Sequence, residues 1–206
     1  MKYEEISKTT LRRMPVYLHY LNSVKNERTN ISASAIAGKF GLNDVQVRKD
    51  LAAVSGSGRP KTGYDINELI SQIEECLGCR DRTNAVIVGA GNLGKALLSF
   101  AGFMDYGLDI VAAFDTDPSL AGTVFNGKPI YSMEEVEGFC RAQDVKLGII
   151  TTPVGAAQKT CDRLTACGIK AIWNFSQTIL RSPEDVLVEN ENLASSLAIL
   201  SKHLRE

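Results

Sequence analysis

Residues 86–94 read Val-Ile-Val-Gly-Ala-Gly-Asn-Leu-Gly, a short apolar run that ends in the pattern GxGxxG and leads into a helix-like segment. In a strand–turn–helix unit of this kind, Gly89 permits the tight turn, Gly91 lets the backbone approach a pyrophosphate, and Gly94 lets the helix pack closely on the sheet. The helix N-terminus offers N–H groups and a partial positive charge to the phosphates. The stretch therefore predicts a dinucleotide-binding loop made of Gly89, Ala90, Gly91, Asn92, Leu93 and Gly94.

Strand-like and helix-like segments alternate from Asn84 onward, a pattern that predicts an α/β domain with a doubly wound parallel sheet covered on both faces. Strands are expected at 85–88, 110–114, 147–151 and 170–175, and helices at 92–104, 133–143 and 156–167. Residues 132–135, Ser-Met-Glu-Glu, have the form of a capping box at the start of the second of these helices.

Asp115 lies about twenty residues beyond the last glycine, at the end of the second predicted strand. An acidic residue there accepts hydrogen bonds from the adenine ribose hydroxyls and repels a 2′-phosphate, which favours NAD(H) over NADP(H). Asp117 competes for this role, and the alternative is that Asp115 only begins a turn.

Two further loops follow strand ends and are predicted to meet the nicotinamide half, because ligands of open α/β sheets lie beyond the carboxyl ends of the strands. The first contains Thr151, Thr152 and Pro153, and the second contains Asn174 and Phe175. Phe175 either packs on the nicotinamide ring or belongs to the core, and the sequence leaves both readings open.

Positive charge is concentrated at the start of the chain, although the net charge of the whole is −1. Residues 1–62 contain eleven Lys or Arg and five Asp or Glu, whereas residues 63–206 contain twelve and nineteen. A basic segment on a slightly acidic chain indicates a polyanionic partner for that segment alone. A basic surface that is merely solvated is the alternative.

The basic segment has the pattern of a helix-turn-helix. A helix at about 32–40, a turn at Gly41 and a helix at about 44–55 capped by Asn43 have the expected spacing, and an ordinary three-helix cluster is the alternative. The later helix is predicted to enter the major groove. The residues expected to face DNA are Asn43, Val45, Gln46, Arg48 and Lys49.

Amphipathic helices are also expected on both sides of this motif. The first carries Leu11, Met14, Leu18 and Leu21 at helical spacing with Thr10 as its cap, and another runs from Ile66 to Leu77. The glycine-rich residues 55–64 fit either a DNA-contacting wing that carries Arg59 and Lys61, or a plain linker.

The composition excludes several classes of protein. No run of about 18 apolar residues predicts a membrane span, and the polar, acidic start argues against a signal peptide, so a cytoplasmic location is expected. Cys76 and Cys79 form a lone CxxC without further ligands at zinc spacing, so no metal site is predicted.

A leucine stripe at the end of the chain predicts an amphipathic helix, which docks on its own domain or on a partner subunit. The stripe consists of Leu193, Leu197, Leu200 and Leu204. A DNA reader that uses two half-sites needs two-fold symmetry, so we expect this helix to form a homodimer. The predicted domains are a winged-helix domain at 1–80, a Rossmann domain at 81–188 and a dimerisation helix at 189–206.

This order of parts resembles the Rex family of redox-sensing bacterial transcriptional repressors over nearly the whole chain. The resemblance is carried by Val47-Arg48-Lys49-Asp50-Leu51, by the glycine loop with Ala96-Leu97-Leu98, by Ile110 to Asp115, and by Gly168-Ile169-Lys170 with Trp173-Asn174-Phe175.

Membership of this family would imply a homodimer with exchanged C-terminal helices, which binds a palindromic operator when NADH is scarce and is released by NADH. The resemblance also implies that Arg13 couples the DNA-binding domain to the nucleotide domain. Phe100 stands where many relatives carry a tyrosine in this switch. Residues 54–58 depart from the family's aromatic-glycine pattern in the wing, and Ser176-Gln177 replaces the commoner Ala-Pro.

Two other functions compete with this interpretation. A small NAD-dependent enzyme would need a substrate domain and an acid–base group, but only about thirty residues follow the Rossmann unit, and the two histidines fall in the terminal helical regions. A sensor of CoA or of another nucleotide is the second alternative, although Asp115 favours a ribose with a free 2′-hydroxyl.

Overall fold

The computed structural model describes residues 6–205, leaving aside the side chains of Leu193 and Ser196. The chain divides into two compact units, with the division between Asp81 and Arg82. We call the N-terminal unit the head and the C-terminal unit the body. No helix among the described residues is long and apolar enough to cross a membrane.

The head consists of four helices and a two-stranded antiparallel sheet. The helices are α1 (Lys8–Val24), α2 (Ala33–Phe40), α3 (Asp44–Ser55) and α4 (Ile66–Leu77), and the strands are β1 (Asn30–Ile31) and β2 (Tyr64–Asp65). Each helix contributes one apolar face to a single core. The largest fully buried side chains of this core include Tyr17, Met14, Leu21, Ile36 and Leu51.

Local chemistry explains where these helices begin and end. The Asn43 side chain accepts a hydrogen bond from Val45 N at 2.8 Å and caps α3 as predicted, and Gly41 ends α2 with φ +63°, a left-handed conformation that suits glycine. The predicted cap at Thr10 is wrong. Ser7 caps α1 instead, because its hydroxyl accepts from Thr10 N, and Thr10 lies buried in the first turn.

The body is built on a seven-stranded sheet. Its strands are β3 (Thr83–Val88), β4 (Leu108–Asp115), β5 (Val124–Phe125), β6 (Lys128–Ser132), β7 (Leu147–Ile150), β8 (Ala171–Asn174) and β9 (Leu187–Asn190). The spatial order is β5-β6-β4-β3-β7-β8-β9, and every neighbouring pair is parallel except β5 with β6. From β6 to β9 this is the 3-2-1-4-5-6 order of a dinucleotide-binding Rossmann sheet. The predicted fold class is therefore confirmed.

Helices cover both faces of this sheet, and the two cores follow from the alternation of side chains along its strands. Val86 and Val88 face one core, and Ala85 and Ile87 face the other. The covering helices are α5 (Asn92–Ser99), α6 (Val136–Ala142) and α7 (Val154–Ala166), and a further helix, α8 (Leu193–His203), ends the body. The capping box is present, with Ser132 and Glu135 each bonded to the other's backbone, ahead of a short 3-10 turn and α6.

The structure departs from the predicted elements in two ways. The helix expected at 92–104 is interrupted, because Phe100 is extended (φ −81°, ψ 101°) and a 3-10 segment follows at Ala101–Tyr106. The strands β5, β6 and β9 were not predicted. The first two form a short edge hairpin. β9 lies at the opposite edge, and its end residues are exposed while its two middle residues are partly buried.

Candidate functional site

The glycine loop between β3 and α5 is packed as the motif requires. Gly89 adopts φ +104°, and a Cβ atom at Gly94 would overlap the carbonyl oxygen of Gly89. The Thr151 hydroxyl, at the end of β7, donates to Gly89 O at 2.7 Å and so ties the loop to the neighbouring strand. The loop therefore holds one fixed shape, with the N-terminus of α5 open beyond it.

Gly91 and Asp115 define the space in front of this loop. A Cβ atom at Gly91 would meet nothing within 4 Å, so the position is open for a ligand group. Asp115 Oδ2 accepts from Ala90 N at 2.6 Å, and its Oδ1 accepts from Asp117 N at 2.9 Å. The carboxylate at the end of β4 thus anchors the loop and lies at the pocket that the loop borders.

A pocket with a volume of about 380 Å³ lies beyond the ends of β3, β4 and β7. Its lining is formed by Val88, Gly89, Gly91, Asp115, Thr116, Met133, Thr151, Thr152, Pro153, Ala156, Lys159, Thr160 and Arg163. The hydroxyl of Thr152 is buried in the structure without a hydrogen-bond partner among the described residues, an arrangement that a ligand with a polar group would satisfy. This pocket suits a nucleotide, because it combines apolar lining residues with the glycine loop, a carboxylate and an unpaired hydroxyl.

Two cations stand on the α7 wall of the pocket. Lys159 is exposed, and Arg163 is partly buried, with its Nε donating to Glu137 Oε1 at 2.9 Å. They lie four residues apart on one helix face and therefore point to the same side. The sequence offered no signal for them, because their approach to the glycine loop depends on how α7 packs on the sheet.

Asn174 and Phe175 lie elsewhere in the body and do not line this pocket. Asn174 is fully buried, and its amide donates to Thr178 O and to Asn190 Oδ1 while accepting from Ser176 N and Oγ. This differs from the predicted ligand contact, because the amide has no hydrogen-bonding group left for one. Phe175 is partly buried against Trp173, with ring centroids 4.8 Å apart.

The predicted DNA-facing residues lie on the exposed part of α3. Val45 is 57% exposed, and Gln46, Arg48 and Lys49 are exposed as well. Arg48 pairs with Asp44 one turn earlier at 2.7 Å, and Asp44 in turn accepts from the Ser34 hydroxyl of α2 at 2.8 Å.

The glycine-rich segment after α3 forms a tight hairpin, which has the shape of a wing, and its DNA contact stays a prediction. Arg59 N donates to Gly63 O at 2.8 Å, and Gly63 N donates back to Arg59 O at 2.9 Å. The exposed Lys61 at the tip has φ +66°. A groove of about 400 Å³ runs between this wing, the start of α2 and α3, and Arg48, Arg59 and Lys61 line it.

Sequence reasoning missed a buried carboxylate at the centre of the head. Asp50 of α3 is 1% exposed and accepts hydrogen bonds from four side chains. The donors are Thr10, Arg13, Tyr17 and Gln46. Burial by itself raises the pKa of Asp50, but the hydrogen bonds, that from Arg13 foremost, outweigh it and lower the pKa below its ordinary value. Burial also raises the pKa of Tyr17 to about 12.

Of the two residues proposed to couple the domains, one is ion-paired inside its unit and the other is exposed on the surface of its unit. Arg13 makes a two-point ion pair with Asp50 inside the head. Phe100 is 58% exposed on the body, with its ring packed edge-on against Phe103 at 4.8 Å.

The described cysteines are all free thiols. Among residues 6–205 there is no group of three or more His, Cys, Asp or Glu side chains that could hold a metal ion. Cys140 is buried, and desolvation raises the pKa of its thiol to about 12, which keeps it protonated and unreactive at neutral pH.

Comparison with known proteins agrees with the division of the chain into a head and a body. Residues 5–52 match the family described as "Putative DNA-binding protein N-terminus", and residues 80–178 match the CoA binding domain family. The redox-sensing transcriptional repressor Rex of Bacteroides fragilis is 38% identical over 201 residues, which is 97% of this chain and 91% of the relative. The Rex of Brevibacillus brevis is 37% identical over 98% of this chain and 99% of its own length.

Solved structures agree over the same extent. The structure of RSP in complex with β-NAD+ and operator DNA matches with a TM-score of 0.91 at 36% identity, covering 97% of this chain and 92% of that one. RSP, a Rex-family repressor, in complex with β-NADH matches with a TM-score of 0.86 at 35% identity, covering 97% and 94%. These relatives are well above 30% identical to the chain over nearly its full length, and they share its fold. The chain therefore belongs to the Rex family of redox-sensing transcriptional repressors.

Proposed function

We propose that this chain is a DNA-binding transcriptional repressor that senses the ratio of NADH to NAD+. It binds a palindromic operator when NADH is scarce and leaves the DNA when NADH binds. The observation that carries the proposal is the near full-length likeness to RSP, of which one solved structure holds NAD+ with operator DNA and another holds NADH.

The residues present fit a dinucleotide in the body. The amides of the glycine loop and the start of α5 lie where a pyrophosphate would be held, so the binding residues proposed there are Gly89, Ala90, Gly91, Asn92, Leu93 and Gly94. Asp115 is placed to accept from ribose hydroxyls, and Thr152 offers its unpaired hydroxyl beside Thr151 and Pro153. Phe175 is proposed to contact the nicotinamide half, and Asn174 to support that loop from inside.

The head supplies the DNA contacts in this proposal. Asn43, Val45, Gln46, Arg48 and Lys49 face the major groove from α3. Arg59 and Lys61 approach the phosphate backbone from the wing, since both line the groove beside Arg48.

Release by NADH is a population shift. NADH must bind one conformation of the repressor more tightly than the other, and DNA must prefer the second. By linkage, DNA then weakens NADH binding by the same factor by which NADH weakens DNA binding. Two residues are proposed to transmit the change. Arg13 acts through its ion pair with Asp50 of α3, and Phe100 acts through its exposed ring on the body.

A homodimer is required for a palindromic operator, and α8 is proposed to form it, exchanged between subunits. Leu197 is 63% exposed, Ile199 is 72% exposed, Leu200 is 60% exposed and Leu204 is 84% exposed in the single chain. The side chain of Leu193, the first residue of the predicted stripe, lies outside the described part. Apolar surface of this extent on one helix is typical of an interaction site.

We also propose that the chain binds the dinucleotide as a signal and does not catalyse its oxidation or reduction. Its relatives are named as transcriptional repressors. Of the two histidines in the sequence, His19 lies in α1 of the head and His203 at the end of α8, and neither lines the nucleotide pocket.

Coenzyme A is the second candidate ligand, because residues 80–178 match the CoA binding domain family and the pocket carries Lys159 and Arg163. A phosphorylated ribose needs a basic partner, which these two cations would supply. Asp115 at the same pocket favours an unphosphorylated ribose.

A titration on the full chain tests the proposal and separates the two ligands. Fluorescence anisotropy on double-stranded DNA selected from a random library is measured at one fixed salt concentration, because phosphate contacts make DNA affinity steeply salt-dependent. NADH, NAD+, NADPH and CoA are then added separately. We expect NADH to release the DNA at the lowest concentration. Release by CoA alone would support the second ligand, and the absence of any selected DNA would contradict the function as a whole.

A further inference from the structure

One side chain on the exposed face of α3 has its orientation fixed by a neighbour. Gln46 Nε2 donates to Asp50 Oδ1 at 2.9 Å, one helical turn further along. An amide and an ionised carboxylate meet only in this way, because the carboxylate has no proton to donate and the amide oxygen has none either. The assignment of the nitrogen and the oxygen of Gln46 therefore follows from the chemistry of its partner.

Asp50 is held in the ionised, accepting state. Its carboxylate is 1% exposed and receives two hydrogen bonds from the Arg13 guanidinium at 2.6 and 2.7 Å. Tyr17 and Thr10 donate at 3.0 and 3.1 Å. The same contacts lower its pKa. The Gln46 amide thus faces a fixed negative charge that α1 keeps in place.

Anchoring at Asp50 leaves Gln46 with a defined pair of groups to present. One N–H of Nε2 is used, and the second N–H and the Oε1 acceptor remain. These two groups share one edge of the amide when the N–H that meets Asp50 is the one trans to Oε1. Gln46 is exposed and lies in the first turn of α3, the part of a recognition helix that contacts base edges.

The four bases differ in what they offer to such an edge in the major groove. Adenine presents an acceptor, N7, beside a donor, the N6 amino group, and so pairs with both remaining groups of Gln46. Guanine presents two acceptors, thymine an acceptor and a methyl group, and cytosine a single donor. Adenine is the one base that satisfies the donor and the acceptor together.

We propose that Gln46 reads an adenine in each operator half-site, and that Asp50 is the positioning residue that sets the amide for this base. The inference rests on the proposed function, since it presumes that α3 enters the major groove of an operator.

Selection from a randomised duplex library, without NADH, tests the inference with the wild-type chain and with Gln46→Met. Methionine keeps the length of the side chain and the helix propensity but cannot form either hydrogen bond. We expect wild type to select adenine at one position of each half-site, and the variant to lose preference there while keeping the rest of the sequence. An unchanged sequence preference in the variant would overturn the inference and leave the proposed function standing.

Base analogues at the selected adenine give a second readout. Replacement by 7-deazaadenine removes N7, and replacement by purine removes the N6 amino group. Each should weaken wild-type binding by a factor of about 5 to 100, within the discrimination expected of a bidentate contact. Neither should change the affinity of Gln46→Met. Equal losses in both proteins would contradict a contact by Gln46.

Two further variants separate base reading from stability. Gln72→Met is the matched control, because Gln72 also donates to a carboxylate four residues away, Glu68, but on α4, and it should leave the selected sequence unchanged. Asp50→Asn lets the facing amide rotate, because asparagine both donates and accepts. We expect it to broaden the selection at this position from adenine to adenine or guanine. A purely structural role of Asp50 would weaken binding to every sequence alike, and an Asp50→Asn variant that still selects only adenine would remove Asp50 from the mechanism.

Discussion

Arg13 and Asp50 form a two-point ion pair that joins α1 of the head to α3, the helix proposed to read DNA. Arg13 Nε lies 2.6 Å from Asp50 Oδ2, and Nη2 lies 2.7 Å from Oδ1. The side chains are 22% and 1% exposed. Because the carboxylate is out of contact with water, the orientation of α3 depends on α1 supplying the opposite charge.

Removing the arginine should destabilise the head strongly. Arg13→Ala leaves a buried carboxylate without its counter-charge, a change that costs about 3–5 kcal/mol in comparable buried pairs. Urea unfolding followed by circular dichroism measures it, with NADH binding as the check that the body remains folded. Arg48→Ala is the control, since the Arg48–Asp44 pair is exposed and should contribute less than about 1 kcal/mol. Equal losses in the two variants would show that the Arg13 pair contributes no more than a surface one.

The same cluster predicts a dependence of stability on pH. The pKa of Asp50 is lower in the folded state than its ordinary value, so the unfolded chain binds a proton first as the pH falls. The contribution of Asp50 is therefore complete above the unfolded pKa and is lost as the pH decreases from about 5 towards 2. We expect the urea midpoint of the head to fall over this range, and to fall less in Arg13→Ala. A wild-type midpoint that stays level would contradict the assignment.

Lys49→Ala should weaken operator binding and leave NADH affinity nearly unchanged. Lys49 is exposed on α3, so its loss removes a phosphate or base contact without touching the body. If the contact is to phosphate, the slope of log affinity against log salt should decrease by about one. Lys146→Ala, an exposed lysine of the body, serves as the control. An equal loss of NADH affinity would show that the two functions are not divided between head and body.

Gly91→Val should prevent NADH binding while DNA binding persists. The position is open to a side chain, so the fold accepts valine, but the new methyl groups occupy the place proposed for the pyrophosphate. Gly94→Ala is the contrasting variant, because its Cβ atom overlaps Gly89 O and should unfold the body. Operator release by NADH in Gly91→Val would remove the loop from the sensing mechanism.

Charged substitutions on α8 should dissociate the dimer. Leu197→Asp and Leu200→Asp place carboxylates on the exposed apolar face of this helix, where burial against a partner would cost several kcal/mol. Sedimentation velocity should show a monomer, and operator affinity should fall because only one half-site is held. Ser195→Asp, on the exposed side of α8 opposite the leucine stripe, is expected to remain dimeric. A dimer in all three variants would place the interface elsewhere.

Features that depend on neighbours in sequence were predictable, and features that depend on packing were not. The cap at Asn43, the turn at Gly41 and the glycine loop follow from short-range chemistry. Asp50 was missed because a charged residue beside Val47 and Leu51 gives no sign of burial until Arg13, 37 residues away, is known to face it.

The break at Phe100 has the same origin. Residues 92–104 have helical spacing throughout, but a Cβ atom at Gly102 would lie 2.7 Å from the Phe100 ring, which covers this glycine. The aromatic cluster with Phe103 then continues to Trp173 at 5.7 Å. These contacts turn the chain out of the α-helix, and they join residues about seventy positions apart, beyond the range of a periodicity argument.

Trp173 is the single tryptophan of the chain, and its position makes it an intrinsic fluorescent probe. Its indole Nε1 donates to Glu191 Oε1 at 3.0 Å, just ahead of α8, and its ring packs on Phe175. Reduced nicotinamide absorbs light at the wavelengths that tryptophan emits, and NAD+ does not. The unlabelled protein should therefore report the redox state of its bound dinucleotide by energy transfer, with one emitter held by Glu191 next to α8, the helix proposed to pair the subunits.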